Sequence, residues 1–488
     1  MTGHRRLYMK FVIRILSCLL VLPLISAVSA QPSVPAGARW LDHLNNDLLP
    51  FWTTETALGS PLGAFPSIRC DDRSLYNARK PCPEIGRDRF PQHQRYLVAL
   101  SRQAYGYGVA FHLTGNRVYL NEMKAGMDFI RQNAMDRLNG GMATVQNLSK
   151  DTWGPSVELR TPQQLAYGLL GMSFYYYLTR DPDVLQDVLA VKNYIFEKYA
   201  TPSGAIRWQP TAANGTLRED KQLVAQLDQM NTYLVLLTPM LPEPAQKEWK
   251  ESLVALSKVM IDQFYSPDDQ LFFKAANQPG DKMLATTPTD FGHNAKALWM
   301  IRWAGLITGH AELVSFAQDH AQALLKRAYL EDCGCWAGGV LPRGVLDLDK
   351  PWWVYAELDQ LAGTLALSDS KFTQYLPRAY DYWFTRFVDK EFGEVWNVVD
   401  GRTHAPVRQS PKQWEWKNAY HSFEHALVGY IVGQKLNDQP ITLYYAFPND
   451  DTAKSAQPYF YSGSAKDVAV EKDNEGQRVQ KVTFSNVH

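Results

Sequence analysis

The chain has 488 residues, 45% of them hydrophobic, which is enough to bury one large core or two domains. Its 50 basic and 50 acidic residues cancel, so there is no electrostatic case for binding nucleic acid or an anionic membrane. Aromatic residues make up 12% of the chain, a content that suits contact with carbohydrate and that core packing explains equally well.

The first 30 residues have the three parts of a secretory signal peptide. Basic residues such as Arg5 and Arg6 precede an apolar run from Ile15 to Ile25, and small residues follow up to Ala30. We therefore predict that residues 1–30 are removed and that the protein is exported, to the periplasm or outside the cell. No later stretch reaches the length of a membrane span, so we expect no membrane insertion after cleavage.

Four cysteines follow the predicted signal peptide: Cys70, Cys82, Cys333 and Cys335. An oxidising compartment favours disulfides over metal thiolates. Cys70 and Cys82 would close a short loop, whereas one intervening residue makes direct pairing of Cys333 with Cys335 difficult. Cross-pairing is the alternative, and the sequence does not choose among the three connectivities.

An internal repeat organises the middle of the chain. An apolar helical segment is followed by a polar break and a second, more charged helix, and the breaks recur roughly every 60 residues. The breaks are Thr114-Gly115, Arg180-Asp181, Leu241 to Pro244, Gly309-His310 and Ser368-Asp369. The first helix of each pair is apolar nearly all round, which predicts a buried position, and the second helix is expected to lie outside it.

Six such pairs can close into a ring. We therefore predict an all-α fold, an (α/α)6 barrel over residues 31–438, with an open solenoid as the alternative. The inner helices are expected to start near Tyr105, Ala166, Asn231, Asn294, Tyr355 and His421, and their starts would line a funnel. From residue 439 to 488 the chain is β-prone with a hairpin signal near Gly476, which predicts a small β-rich C-terminal extension.

The last inner helix contains two histidines in the sequence HSFEH. His421 and His425 are four residues apart and so share one helical face, which would let both imidazoles point at one cavity. The pattern H-x-x-E-H also occurs in a class of zinc proteases. Zinc needs a third ligand and the repeat already explains the helix, so we predict no metal. His425 is expected to be a packed, supporting residue rather than a base.

Four motifs, each at the start of a repeat helix, resemble those of the N-acylglucosamine 2-epimerase superfamily, which includes cellobiose 2-epimerases and mannose or sulfoquinovose isomerases. The resemblance covers roughly residues 90–435. Its four segments are Ser101-Arg102-Gln103, Gly292 to Trp299, Trp352 to Glu357 and Lys417 to His421. They are similar to an arginine motif, G-H-x-x-E-x-x-W, W-W-x-x-A-E and K-x-x-(Y/F)-H, in that order.

The resemblance implies an (α/α)6 barrel that epimerises or isomerises a free sugar or a saccharide reducing end without a cofactor. Such reactions move a proton next to a carbonyl, which an imidazole can do near neutral pH. We assign C2 proton transfer to His421, and ring opening or the second proton to His293. Arg102 would stabilise the enediolate oxygen, and Glu357 would bind hydroxyl groups or orient a histidine.

The residues predicted to contact the substrate are Trp352, Trp353, Asn231, Lys296, Tyr420 and Glu424. Three of them depart from the family pattern. Lys296 replaces a glutamate, Asn231 replaces a histidine, and Glu424 replaces an arginine that often follows the last histidine. These departures would either tune the site for a different substrate or mark lost catalysis.

Two other functions stay open on the sequence alone. Other (α/α)6 barrels hydrolyse glycans with two carboxylates, and Asp290 with Glu357 could supply such a pair. The chain could also bind a sugar without changing it. No glycine-rich phosphate loop supports nucleotide binding.

Overall fold

Long helices carry the fold in the computed structural model, which describes residues 33–85, 93–155, 159–209, 220–278, 281–284, 288–472 and 476–488, with backbone alone at 277–278 and 281–284. The predicted signal peptide lies outside these residues. Val34–His488 forms one unit. None of the described helices is both long enough and apolar enough to cross a membrane.

The helices follow one another as pairs joined by short turns. In chain order they are α1 (Gly37–Asp42), α2 (Leu49–Trp52), α3 (Glu55–Leu58), α4 (Leu97–Thr114), α5 (Arg117–Asn133), α6 (Pro162–Thr179), α7 (Pro182–Tyr199), α8 (Leu223–Gln229), α9 (Val235–Leu237), α10 (Ala245–Phe264), α11 (Phe291–Thr308), α12 (Ala311–Ala328), α13 (Trp352–Ala366), α14 (Leu376–Tyr382), α15 (Ala419–Leu436) and α16 (Asp450–Lys454). Turns of π-helix at His43–Leu48, Met230–Leu234 and Trp383–Phe387 extend α1, α8 and α14, and 3-10 turns occur at Thr238–Met240, Pro342–Gly344 and Ser370–Tyr375.

Six inner helices form a closed ring. Helices α4, α6, α8, α11, α13 and α15 each contact the next, and α15 contacts α4. Nearly every residue of α4, α6 and α15 is buried, because apolar and small residues occupy all sides of these helices. The closed ring confirms the predicted (α/α)6 barrel and is incompatible with an open solenoid.

The outer helices bury one face only. In α5 the buried residues include Leu120, Met123, Met127 and Ile130, at the spacing of three and four that one helical face requires. Helices α5, α7, α10, α12 and α14 pack in this way on the inner helices that precede them. The sixth outer position is filled from the N-terminal side of the chain, by α1 and its π-helical turn against α15.

The inner helices all start earlier in the chain than predicted, four of them within one turn or so and two of them by more than two turns. The observed first residues are Leu97, Pro162, Leu223, Phe291, Trp352 and Ala419. Helices α4 and α8 start furthest from the prediction, and their N-cap residues, Tyr96 and Gln222, form no side-chain cap. Helices α6, α11 and α15 start close to the prediction, and each has a capping side chain from Thr161, Asp290 or Asn418.

Short antiparallel strands connect the helices. They are β1 (Gln94–Tyr96), β2 (Val145–Asn147), β3 (Thr152–Gly154), β4 (Lys221–Gln222), β5 (Tyr265–Ser266), β6 (Leu271–Phe272), β7 (Ala275–Gln278), β8 (Asp281–Leu284), β9 (Tyr329–Leu330), β10 (Cys335–Trp336), β11 (Gly339–Val340), β12 (Leu346–Asp347), β13 (Lys350–Pro351) and β14 (Val398–Val399). They pair as β1-β2-β3, β4-β7-β8, β5-β6, β9-β10, β11-β12 and β13-β14. Strands β1, β4 and β13 lead directly into α4, α8 and α13, so they fix the end of the barrel at which the inner helices begin.

The C-terminal residues form a three-stranded antiparallel sheet in the order β15-β17-β16, from β15 (Ile441–Tyr445), β16 (Ser464–Lys472) and β17 (Arg478–Ser485). Ile441 pairs with Phe484, and burial alternates along β15 because successive side chains point to opposite faces. The sheet packs on α4 and α6. This confirms the predicted β-rich tail, whereas its boundary at residue 438 stays a prediction.

Two disulfides join neighbouring cysteines. Cys70 pairs with Cys82 at a Cα separation of 5.8 Å, and Cys333 pairs with Cys335 at 5.3 Å. Of the three connectivities left open by the sequence, the structure therefore has the one that pairs Cys333 directly with Cys335, and cross-pairing is excluded. Gly334 between them has φ of 63°, a left-handed conformation that glycine adopts freely, and it turns the two side chains toward each other.

Candidate active site

A cavity of about 230 Å³ lies at the end of the barrel where the inner helices begin. Six of the residues predicted from the sequence line it: Arg102, His293, Lys296, Trp352, Trp353 and His421. These residues come from α4, α11, α13 and α15, which confirms that the repeat brings distant motifs to one place. The remaining predicted residues lie beneath the wall of the cavity, as described below.

Arg102 is held in the cavity wall by aromatic groups. Its Nη1 donates to the backbone oxygen of Trp416 at 2.7 Å, and its guanidinium carbon lies 3.8 Å from the ring centroid of Tyr167. Such cation–π contacts stabilise a desolvated guanidinium. Arg102 is 4% exposed, and its Nε has no hydrogen-bond partner within the described residues. The side chain therefore offers a free donor beside the cavity.

His293 stands at the rim, in the first turn of α11. The carboxylate of Asp290 accepts from the backbone N–H of His293 at 2.9 Å, which caps the helix, and it contacts Nδ1 of the same residue at 2.7 Å. Although burial raises the pKa of Asp290, the interaction with His293 outweighs that effect and lowers it. Because Nδ1 is engaged, Nε2 is the ring nitrogen of His293 left to exchange protons.

Lys296 lies one turn further along α11, and it is buried. Its ammonium nitrogen is 3.1 Å from the hydroxyl of Tyr167, 3.4 Å from Asp228 Oδ1 and 3.7 Å from Glu357 Oε1. Burial alone would lower the pKa of Lys296, but Tyr167, Asp228 and Glu357 together raise it above its ordinary value. Lys296 is therefore a fixed cation in the wall of the cavity, at the position where the related family carries a glutamate.

His421 lines the floor of the cavity, and Glu357 lies buried directly beneath it. Nδ1 of His421 is 3.5 Å from Glu357 Oε1 and 3.9 Å from Glu424 Oε2. The other oxygen of Glu357 accepts from the indole N–H of Trp299 at 2.8 Å. Burial lowers the pKa of His421 well below its ordinary value, and the cations Lys296 and Arg102 lower it further. The imidazole is therefore neutral, which is the form that can accept a proton.

The two floor carboxyl groups are driven toward their protonated forms. Burial raises the pKa of Glu357, although Lys296 opposes this rise. Burial and the neighbouring Glu357 raise the pKa of Glu424 to about 8. One ligand atom from each of Glu357, His421 and Glu424 lies within 4.8 Å of the others, a spacing that would suit a metal ion. Lys296 already places a positive charge 3.7 Å from Glu357, so the cluster has a cation of its own.

Two predicted contact residues, Asn231 and Tyr420, lie behind the wall rather than in it. The hydroxyl of Tyr420 donates to Asn231 Oδ1 at 2.9 Å, and both side chains are buried. Trp352 and Trp353 do reach the cavity, and their ring centroids lie 6.1 and 5.9 Å from that of His421. These two indoles provide the apolar surface on which a sugar ring can stack.

His425 does not share the cavity with His421. Its Nε2 lies 2.9 Å from Asp359 Oδ2, and its ring contacts Trp383 and Trp40 at centroid distances of 4.3 and 5.0 Å. The expectation that both imidazoles could point at one cavity is therefore wrong, because His425 is one turn deeper and faces the outer helices. Its packed, supporting position matches the expectation for that residue.

Three residues of the site, Tyr167, Gln163 and Asp228, were not predicted from the sequence. Gln163 and Tyr167 are four residues apart at the start of α6, and both donate to the carboxylate of Asp228, at 2.9 and 3.0 Å. An acidic residue on an inner helix that has no other charged residue, three positions before Asn231, was the signal that could have identified Asp228. Val224 and Trp416 also line the cavity, and Trp416 lies in the loop before α15.

The class that the fold and site define is an (α/α)6 barrel with a tryptophan-lined cavity that contains two histidines and two cations. Solved structures share this fold. A sugar epimerase from a ruminal bacterium superposes with a TM-score of 0.68 at 18% identity, covering 83% of this chain and all of that one. A D-mannose isomerase gives 0.65 at 15% identity, covering 80% and 97%. A GH76 α-mannanase of Bacteroides thetaiotaomicron gives 0.53 at 12% identity, covering 72% and 90%.

Sequence comparison agrees with the structural comparison. A cellobiose 2-epimerase of Ruminococcus albus is 22% identical over 348 residues, 67% of this chain and 85% of that protein. One from Eubacterium cellulosolvens is 21% identical over 410 residues, 78% and 94%. No family model matches the chain. The likeness to these epimerases confirms the resemblance to the N-acylglucosamine 2-epimerase superfamily.

Proposed function

We propose that the chain is a carbohydrate epimerase or isomerase that moves the proton at C2 of a reducing sugar by histidine acid–base chemistry. The observation that carries the proposal is the meeting of His421 and His293, from two distant repeats, in one cavity that also contains Arg102. The cellobiose 2-epimerase relatives and the mannose isomerase fold support the reaction class.

The reaction begins with ring opening at the rim. His293, paired with Asp290, can transfer a proton between the ring oxygen and the anomeric hydroxyl, which gives the open-chain aldehyde. The stacking surface of Trp352 and Trp353 would hold the sugar in place. This step consumes no proton overall, because the anomeric hydroxyl loses a proton and the ring oxygen gains one as its bond to C1 breaks.

His421 then acts as the base. Its Nδ1 faces Glu357 and Glu424, which leaves Nε2 to take the proton from C2. The electron pair moves onto the carbonyl oxygen and produces an enediolate. Arg102 provides a buried donor for that oxyanion, and the fixed charge of Lys296 stabilises negative charge in the same wall.

Return of a proton completes the turnover. Delivery to C2 from the opposite face, by His293, would give the epimer, and delivery to C1, with transfer of the O2 proton to O1, would give the ketose. We propose that the substrate is a free sugar or a saccharide reducing end. We also propose that the reaction takes place in the periplasm or outside the cell, because residues 1–30 have the features of a signal peptide.

The alternative of glycoside hydrolysis has weaker geometric support. It needs two carboxylates that flank a glycosidic bond. Glu357 is 1% exposed and binds Trp299 and Lys296, and Asp290 is committed to His293. The shared barrel of the mannanases therefore reflects the fold rather than a matching pair of acids.

The experiment that tests the proposal incubates the mature chain with reducing sugars in D2O, including glucose, mannose and cellobiose. NMR should show deuterium at C2 together with a new epimer or ketose. New reducing ends from an oligosaccharide would instead support hydrolysis. Binding by calorimetry without exchange or cleavage would support a protein that only binds sugar.

A further inference from the structure

A tyrosine from the C-terminal residues reaches the interior of the barrel. Tyr459 lies between β15 and β16 and is 2% exposed. Its hydroxyl is 2.6 Å from Glu424 Oε1, to which it donates, and 2.7 Å from the hydroxyl of Tyr105 on α4. The C-terminal part of the chain thus contacts a carboxyl group that faces His421.

The backbone of Tyr459 is held in an uncommon conformation. Its φ is 61°, in the left-handed region that a bulky side chain rarely adopts. Its backbone N–H donates to the hydroxyl of Tyr177 at 2.8 Å, and its ring contacts Phe460 and Phe174. Such a conformation persists only where the surrounding contacts fix it, so these contacts hold the side chain of Tyr459 in place.

We propose that Tyr459 is a positioning residue for the reaction at His421, and that it acts through Glu424. This inference rests on the proposed function of His421. Glu424 Oε2 lies 3.9 Å from Nδ1 of His421, on the side of the ring opposite to the nitrogen that takes the proton. A carboxylate at Nδ1 orients the ring and stabilises the imidazolium that forms during proton transfer.

The hydrogen bond from Tyr459 does two things to Glu424. It fixes the orientation of the carboxyl group, and it favours the ionised form over the protonated one. The titratable groups around Glu424 are Glu357, Lys296, His421, Tyr105, Tyr420, Tyr459 and, through space without a hydrogen bond, Tyr461. Burial and Glu357 raise the pKa of Glu424 to about 8, while the bond from Tyr459 lowers it. Loss of that bond would therefore leave less ionised Glu424 at neutral pH.

The test is the variant Tyr459→Phe, with Tyr461→Phe as its matched control. Tyr461 lies in the same segment, is equally buried, and has its hydroxyl 3.1 Å from Thr364 Oγ1 instead. We expect kcat of Tyr459→Phe to fall about tenfold with KM within about twofold. Because kcat should rise with pH as Glu424 ionises, we also expect that rise to occur about one pH unit higher in Tyr459→Phe. Tyr461→Phe should change neither value. An unchanged kcat–pH profile in Tyr459→Phe would overturn the inference.

A double-mutant cycle shows whether Tyr459 acts through Glu424 or independently of it. Glu424→Gln removes the carboxylate that connects Tyr459 to His421 and keeps the shape of the side chain. We expect the double variant Tyr459→Phe/Glu424→Gln to be no slower than Glu424→Gln alone, because both changes remove one pathway. Additive losses would show that Tyr459 acts independently of Glu424.

A measurement that does not depend on catalysis separates this inference from the proposed function. If the wild type exchanges no C2 proton, the proposed function fails. The link can then be followed by NMR of histidine labelled with ¹⁵N, with the His421 signal assigned by its loss in His421→Asn. The pH dependence of that signal should shift in Tyr459→Phe and not in Tyr461→Phe. Identical His421 titrations in the wild type and Tyr459→Phe would overturn the inference on its own.

Discussion

The two histidines that line the cavity have opposite surroundings. His293 at the rim has a side chain that is 23% exposed and a partly exposed partner, Asp290. His421 at the floor is 5% exposed and faces the buried carboxyl groups of Glu357 and Glu424. The imidazole of His293 can exchange protons with bulk water, whereas that of His421 can exchange them only with groups inside the cavity.

This difference divides the chemistry between the two ends of the cavity. Burial and nearby cations lower the pKa of His421, so it is a neutral base over the whole neutral range. The contact with Asp290 orients His293 where solvent protons can reach it. An enzyme that must remove one proton and supply another needs such a pair of unlike environments.

The largest expected effect is the loss of turnover on substitution of His421 at the floor of the cavity. His421→Asn removes the base and keeps a side chain of similar shape, so turnover should fall by about 10² to 10⁴. Sugar affinity and helical content should be nearly unchanged. Deuterium incorporation at C2, measured by NMR, checks the loss, and His310→Asn, at an outer turn, is the control that should keep full activity. Full activity in His421→Asn would remove this residue from the mechanism.

Lys296→Glu tests the buried cation in the cavity wall, which stands where the related family carries a glutamate. The change would place a third acid beside Asp228 and Glu357 and remove the only positive charge within 4.0 Å of them among the described residues. Unpaired buried charges cost about 3–5 kcal/mol, so we expect a loss of that size in the free energy of unfolding in urea.

The control for that charge reversal is Lys198→Glu, at an exposed position next to Glu197. Surface changes of this kind alter stability by about 0.5 kcal/mol or less. If Lys296→Glu were as stable as the control, the cluster would tolerate the glutamate of the related family. The lysine would then have to be explained by substrate preference alone.

Lys296 also shows what could be predicted from the sequence. The repeat period predicted six inner helices, and the motifs at their starts identified six residues of the cavity. The sequence marked Lys296 as a departure, but its partners Tyr167 and Asp228 come from α6 and α8, and their meeting depends on the closed ring. The contact between Glu424 and Tyr459 was not predictable, because an irregular segment carries Tyr459 into the barrel.

A third, smaller effect is the pH dependence of the free energy of unfolding that Glu424 causes. The pKa of Glu424 is raised to about 8, so the folded chain binds this proton more tightly than the unfolded chain. The resulting stability is fully present below the ordinary glutamate pKa and is lost as the pH rises through about 8. The opposite holds for His421, because its pKa is lowered in the folded chain. Its burial reduces the free energy of unfolding only as the pH falls below the ordinary pKa of histidine.

Glu424→Gln isolates the carboxyl contribution. Between pH 5 and 8.5 the wild type should lose roughly 3 kcal/mol more unfolding free energy than Glu424→Gln does, since the glutamine does not titrate. Urea unfolding at several pH values measures the difference between the two curves. Parallel curves would mean that Glu424 does not bind a proton in this range, which would weaken the contrast between floor and rim.

The smallest effect is expected at the rim, from Asp290→Asn. Asparagine caps a helix as well as aspartate, so stability should change by about 0.5 kcal/mol or less. His293 loses its charged partner, and we expect kcat to fall about tenfold, because water can still deliver protons to an exposed imidazole. Asp181→Asn, which alters the equivalent cap of the outer helix α7, should leave kcat unchanged. A loss in Asp290→Asn as large as that in His421→Asn would mean that Asp290 itself reacts with substrate. The rim would then have the carboxylate chemistry of a hydrolase, and His293 would serve to orient that carboxylate.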